Sequence, residues 1–137
     1  MFNKLLDLDV IDLHSLQIGS DATQITPYLD HPRIFDWSSQ ISTFEDTAFL
    51  VNQLDLIISV DTAVGHLAGA LNRPTWLLLP RHSDFRWLRE TSVSPWYPGC
   101  MRLFRQHLQG DWSHVVSELT CAWSELLMLH LDPSERS

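Results

Sequence analysis

Asp61 and Thr62 are the residues whose types and position most directly suggest chemistry. They follow a short apolar run and precede a stretch of small residues that contains His66. The hydrophobic pattern of residues 55–80 predicts a strand, a polar turn, a helix and a second strand. Such a turn lies at the carboxyl edge of a parallel sheet, where helix N–H groups and a threonine hydroxyl can bind phosphates and nucleotides.

The same two residues could simply cap the helix. Aspartate and threonine are among the commonest N-cap residues, and the local pattern alone favours this structural role. A helix N-terminus stabilises an anion by only ~0.3–2 kcal/mol, whereas micromolar binding requires about 8 kcal/mol. Any phosphate site at this turn therefore needs contributions from other residues.

Other side chains near this turn also allow two interpretations. His66 could donate to a phosphate or lie in the core, and the local pattern favours the core. Gly65 could let the helix approach the sheet closely or could leave room for a ligand. Trp76 lies within a predicted strand and is expected in the core. The loop at 80–99 carries three aromatic rings that could stack on a base or pack on the sheet: Trp87, Trp96 and Tyr97. It also carries three arginines that could bind phosphate or only face solvent: Arg81, Arg86 and Arg89.

The elements that must position these residues alternate between strands and helices. Strands are predicted at 10–17, 33–37, 55–60, 74–79 and 101–106. Helices are predicted from a Ser42 or Thr43 cap, at 63–71 with Asn72 as C-cap, and from an Asp111 cap to about residue 130. This alternation predicts a mainly parallel sheet covered by helices on both faces. The prediction is one domain at 1–131, with the end of a helix at 2–8, a loop with a helical turn at 20–31, and a flexible tail at 132–137.

Composition excludes several classes of protein. The chain has 137 residues and a net charge of −8, which argues against nucleic acid as the main partner because phosphate backbones need a clustered basic surface. No apolar segment is long enough to cross a membrane and the first residues do not form a signal peptide, so a cytoplasmic protein is predicted. Cys100 and Cys121 lack the spacing of a metal or redox pair. Seven singly scattered histidines without an H-x-x-x-H pair predict no structural metal.

Several segments together resemble a known family. They read I-S-V-D-T-A-V-G-H-L-A-G-A-L-N-R-P-T-W-L-L-L-P, F-R-W-L-R-E, S-P-W-Y-P and M-R-L-F-R-Q. The chain resembles the carboxyl-terminal half of two-domain, GT-B-fold glycosyltransferases of the heptosyltransferase-like group, and especially bacterial proteins in which tetratricopeptide repeats precede such a domain. The likeness covers residues 2 to about 125 and is most specific from 55 to 112.

This resemblance implies a Rossmann-like three-layer α/β/α domain that binds a nucleotide-diphosphate sugar. It also implies glycosyl transfer without a metal, and no cofactor. The family segment D-[ST]-x-x-x-H contacts the nucleotide diphosphate, which reverses the local preference for a cap at Asp61 and a core position for His66. Gln17 would lie near the same pocket. The implied binding residues are Asp61, Thr62, Ala63, Val64, Gly65, His66 and Gln17.

The sequence departs from the family pattern in two ways. Ile18 stands where the family commonly has a phosphate-binding lysine, a charge-assisted contact worth ~1.5–3 kcal/mol. The first strand, which is central in the order 3-2-1-4-5-6, is not found, nor are the acceptor domain and its catalytic base. We therefore predict one sheet of about five strands, in which strand 10–17 either pairs directly with strand 55–60 or borrows a strand from another copy.

The leading functional prediction is a truncated donor-binding domain of a glycosyltransferase that is inactive alone. It would act with a separate acceptor domain or as a homo-oligomer. The alternative is a non-enzymatic, degenerate remnant that serves as a binding or assembly module. A flavodoxin-like regulator is disfavoured, because the late part of the sheet offers Arg102 and Arg105 but no lysine.

Overall fold

The computed structural model describes residues 11–89 and 91–131, and it contains five strands within that part of the chain. The strands are β1 (Leu13–Ser15), β2 (Ile34–Asp36), β3 (Ile57–Val60), β4 (Thr75–Leu79) and β5 (Met101–Arg105). The α-helices are α1 (Phe44–Gln53), α2 (Ala63–Ala70) and α3 (Ser113–Leu131). Two 3₁₀ helices lie at Gly19–Tyr28 and Phe85–Trp87. The predicted helix end at 2–8 and tail at 132–137 lie outside the described residues.

All strand pairs are parallel, as the alternation of strands and helices predicts, but they form two sheets. β1 pairs with β2, and a separate sheet has the order β3-β4-β5. The mixed α/β arrangement is compatible with a Rossmann-like fold. The prediction of one sheet of about five strands is wrong for the described residues.

Direct pairing of strand 10–17 with strand 55–60 is likewise not formed. Leu16, which follows β1, instead packs against the buried cluster of Val51, Ile57 and Ala68. The Leu16 side chain therefore packs on the cluster that contains Ile57 of β3, the strand with which backbone hydrogen bonds were predicted. β1 keeps its own ladder with β2, in register Leu13 to Ile34 and onwards.

The core lies on the two faces of β4, whose five residues are all buried. On one face Trp76 and Leu78 pack with Phe104 of β5 and with α3. On the other face Leu77 and Leu79 pack with Trp87 and with further residues of β5. The predicted core position of Trp76 is thus confirmed.

Local sequence signals account for the ends of the helices. Thr43, one of the two predicted caps, is the N-cap of α1, and it forms a reciprocal capping box with Asp46. Leu71 is the C-cap of α2, and Asn72 follows it with φ 54°, a left-handed conformation that asparagine tolerates. α3 begins at Ser113, whose backbone N–H donates to the Asp111 carboxylate at 2.9 Å.

Within residues 11–89 and 91–131, no helix combines the length and the apolar composition needed to span a bilayer.

Candidate functional site

Asp61 lies at the carboxyl end of β3, and both of its carboxylate oxygens are engaged. Oδ2 accepts a hydrogen bond from the indole Nε1 of Trp87 at 2.9 Å. Oδ1 lies 3.3 Å from Nε2 of His66, which is one turn into α2. Because Trp87 is fully buried, its indole is a fixed donor that sets the orientation of the carboxylate. Asp61 is therefore held between a core side chain and the candidate histidine.

His66 in turn lies between Asp61 and Tyr97. Its Nδ1 is 3.3 Å from the Tyr97 hydroxyl, and its ring is tilted against Trp87 with centroids 5.2 Å apart. A neutral imidazole has one N–H donor and one acceptor nitrogen. The tautomer with the proton on Nε2 lets His66 donate to Asp61 and accept from Tyr97. About a third of the His66 side chain remains exposed to solvent, so a ligand can reach it.

Two glycines on α2 allow this cluster to form. A Cβ at Gly65 would lie 2.8 Å from Cδ1 of Leu77, so this glycine serves close packing of the helix on β4. A Cβ at Gly69 would lie 2.6 Å from Cγ of Tyr97 and would meet the base of that ring. The two glycines therefore leave space for the side chains of Leu77 and Tyr97 against α2. Because Tyr97 contacts His66, this packing also helps to position His66.

The start of α2 offers donors beside this cluster. Thr62 is the N-cap residue by its extended backbone, but its side chain makes no capping hydrogen bond. The Thr62 hydroxyl instead lies 3.1 Å from the Ser59 hydroxyl. The first three N–H groups of an α-helix have no intrahelical acceptor, so those of 63–65 are available to an anion. Asp61 is not the side-chain cap that the local pattern favoured, since its oxygens face Trp87 and His66.

A family model described as glycosyltransferase family 9 (heptosyltransferase) matches residues 42–88. The matched segment is less than half of the chain and runs from the cap of α1 through the second 3₁₀ helix. It includes Asp61, His66 and Trp87, whereas Tyr97 lies beyond it. Neither the comparison with curated proteins nor the comparison with solved structures finds a match.

The loop after β4 is held in place by β5, which fixes Trp87. The Arg105 guanidinium donates to the carbonyl oxygens of Trp87 at 3.2 Å and Leu88 at 2.5 Å, and also to the Ser83 hydroxyl. Burial lowers the pKa of Arg105 from its ordinary value. No sequence pattern marks this arginine as part of the site, yet it anchors the turn that presents the Trp87 indole to Asp61.

The remaining candidates are Gln17, Ala63 and Val64. Gln17 is exposed, and within the described part of the chain no hydrogen bond joins it to Asp61, Thr62 or His66. Ala63 and Val64 form the first turn of α2. The structure thus brings together Asp61, Thr62 and His66 of the predicted set, whereas a binding role for Gln17 stays a prediction.

The loop arginines and the other tryptophan have local partners. Arg86 forms an exposed pair with Asp84 at 3.0 Å. Arg81 donates to the carbonyl oxygen of His107. Trp96 donates from Nε1 to the Arg86 carbonyl at 3.0 Å and, with Phe85, lines an open groove of about 290 Å³. Arg81 and Arg86 are therefore engaged within the protein, and Trp96 keeps an exposed ring.

No sequence pattern indicates that Trp87 and Tyr97 are the partners of Asp61 and His66. Their place in the loop after β4 predicts stacking or packing rings, and the structure uses their polar atoms as well. Buried tryptophan and tyrosine side chains usually find a hydrogen-bond partner. That rule could have signalled a nearby acceptor for Trp87, although not which one.

Proposed function

We propose that the turn between β3 and α2 binds the diphosphate of a nucleotide-diphosphate sugar, as the donor side of a GT-B-type glycosyltransferase. The observation that carries this proposal is the Asp61–His66 pair at the N-terminus of α2, within the segment that matches glycosyltransferase family 9. Supporting donors are the free N–H groups of the first helical turn and the Thr62 hydroxyl.

The geometry gives each residue a role in anion binding. The N–H groups of 63–65 donate to phosphate oxygens. The Thr62 hydroxyl donates to a phosphate oxygen once it releases the Ser59 hydroxyl, which itself donates to the Val60 carbonyl oxygen. With both ring nitrogens protonated, His66 donates from Nε2 to Asp61 and from Nδ1 to a phosphate oxygen in place of the contact with Tyr97. Asp61 acts as a positioning residue, because its own charge would repel the ligand if it faced the phosphate directly.

Transfer itself is proposed to need an acceptor-binding surface and a base supplied from outside these residues. Asp61 is engaged at both oxygens and so does not offer a free carboxylate for proton abstraction. The purified chain is expected to bind the donor without transferring its sugar. Transfer of a radiolabelled sugar by the chain alone would contradict this part of the proposal.

Titration calorimetry with UDP, ADP and GDP tests donor binding. We expect saturable binding by at least one diphosphate, and binding weakened about tenfold to a hundredfold by His66→Ala, because a charge-assisted hydrogen bond contributes ~1.5–3 kcal/mol. Asp61→Ala should weaken binding as well, since it frees the histidine ring. His31→Ala, a histidine change in the turn before β2, is the matched control and should leave binding unchanged.

The alternative is a non-enzymatic binding or assembly module that keeps the fold without a donor site. It predicts that none of the three nucleotides binds, although the chain remains folded. Binding that is unchanged in both His66→Ala and Asp61→Ala would place the nucleotide elsewhere and would also reject the proposed site. Circular dichroism of each variant separates these results from misfolding.

A further inference from the structure

A second cluster of potential ligand atoms lies in the loop before α3 and in the first turns of that helix. It consists of His107, His114 and Glu118, each of which offers one ligand atom within 4.8 Å of the others. The three residues come from two elements, so no H-x-x-x-H pattern announces them. His114 and Glu118 share one face of α3 because they are four residues apart.

The spacing between His114 and Glu118 is close to that of two ligands of one metal ion. His114 Nδ1 and Glu118 Oε2 are 3.6 Å apart. Two ligands that are each ~2.1 Å from a zinc ion at a tetrahedral angle are separated by about 3.4 Å. Nδ1 of His114 is shielded from solvent and, among the described residues, has no hydrogen-bond partner. A cation bound between His114 Nδ1 and Glu118 Oε2 would be a ligation partner for both atoms.

His107 stands directly beside this pair. Its ring centroid is 3.5 Å from that of His114, with the ring planes tilted by 37°. An imidazole ring binds a metal ion through a nitrogen that carries no proton, and each of the two rings can offer one such atom. His107 is exposed and can turn toward the ion.

The loop that carries His107 is fixed by polar contacts. The Gln106 side-chain carbonyl accepts hydrogen bonds from the backbone N–H of Gly110 at 3.0 Å and of Arg81 at 3.4 Å. The Arg81 guanidinium donates to the His107 carbonyl oxygen. Gln106 is itself buried. The backbone of His107 is therefore held next to α3 before any ion binds, which reduces the entropy lost on binding.

We propose that His107, His114 and Glu118 bind a divalent first-row transition ion, with water completing the coordination. Two imidazoles and one carboxylate are the ligand set of many zinc sites with an open position, and imidazole donors also suit Co²⁺, Ni²⁺ and Cu²⁺. α3 packs on the Trp76 face of β4, whereas the loop that carries Trp87 packs on the opposite face. The ion site is thus separate from the Asp61–His66 cluster and does not depend on the proposed function.

The test is calorimetric titration of the metal-free chain with Zn²⁺, together with the visible absorption of bound Co²⁺. We expect saturable binding of a single ion at about pH 7.5 that is lost near pH 5, because protonated imidazoles cannot ligate. His107→Ala and His114→Ala should each weaken binding by at least about tenfold, since even outer-sphere changes cost this much. Glu118→Gln, which keeps the helix and removes the charge, should weaken it too.

His31→Ala is the matched control, because it removes a histidine from the turn before β2 and should not alter Zn²⁺ affinity. The absence of saturable Zn²⁺ and Co²⁺ binding would overturn the proposal. So would equal affinity in wild type, His107→Ala and His114→Ala. In either case the contact between His114 and Glu118 would be an ordinary ion pair between neighbouring helical turns.

Discussion

Replacing Gly69 with alanine tests whether α2 and Tyr97 are packed so closely that only glycine fits between them. An alanine within a helix is favoured over glycine by about 1 kcal/mol. The added Cβ would lie 2.6, 2.7 and 2.9 Å from three atoms at the base of the Tyr97 ring. These atoms cannot move without the whole side chain, and overpacking typically costs ~1–3 kcal/mol. The clash should prevail, so that Gly69→Ala lowers the free energy of unfolding by about 1 kcal/mol.

Urea unfolding of a double-mutant cycle measures this effect. In a Tyr97→Ala background the clash is absent, and Gly69→Ala should raise the free energy of unfolding by up to about 1 kcal/mol. The effect of Gly69→Ala should thus differ between the two backgrounds by about 2 kcal/mol, which is the coupling energy of the pair. Gly99→Ala is the control, because no atom lies within 4 Å of its added Cβ. If Gly69→Ala stabilises the wild-type chain, or if the coupling is near zero, the reasoning about this contact is wrong.

Three further predictions concern single contacts. Hydrogen bonds from the Ser42 and Thr43 backbones lower the pKa of Asp46. The contribution of the Asp46 carboxylate to stability is therefore present above about pH 4 and is lost as the pH falls through the folded-state pKa. Asp46→Asn should accordingly reduce the loss of stability at acid pH when unfolding is measured as a function of pH. Trp87→Phe removes the indole donor to Asp61 and should destabilise the fold by ~1–3 kcal/mol in thermal unfolding. Burial raises the pKa of the Cys100 thiol, so iodoacetamide near pH 8 should label the exposed Cys121 faster, as read by peptide mass spectrometry.

The part of the fold that the sequence predicts best is the segment from α1 to β4. There the signals are local: the Thr43–Asp46 capping box, the run of buried residues in β4, and the left-handed Asn72 that ends α2. The position of the candidate site follows from the same signals, because the end of a parallel strand and the start of the next helix must adjoin. These features require no knowledge of distant contacts.

Longer-range features were not accessible in this way. Whether β1 joins the larger sheet depends on a competition between backbone pairing and the packing of Leu16, and the sequence contains no measure of it. The hydrogen bond from Trp87 to Asp61 spans 26 residues and depends on how β5 holds the intervening loop. The contact of His107 with His114 depends on the path of a loop that Gln106 fixes.

Because β1 and β2 form a sheet of their own, this part of the molecule can unfold locally while the three-stranded sheet remains folded. In the described residues the β1–β2 ladder shares no backbone hydrogen bond with the three-stranded sheet, and its strands contain a single buried residue, Ile34. Opening this ladder therefore leaves the main core intact and requires less free energy than global unfolding. Its amides should exchange with deuterium well before those of β4, so the segment before α1 can open and close while the Asp61–His66 cluster stays assembled.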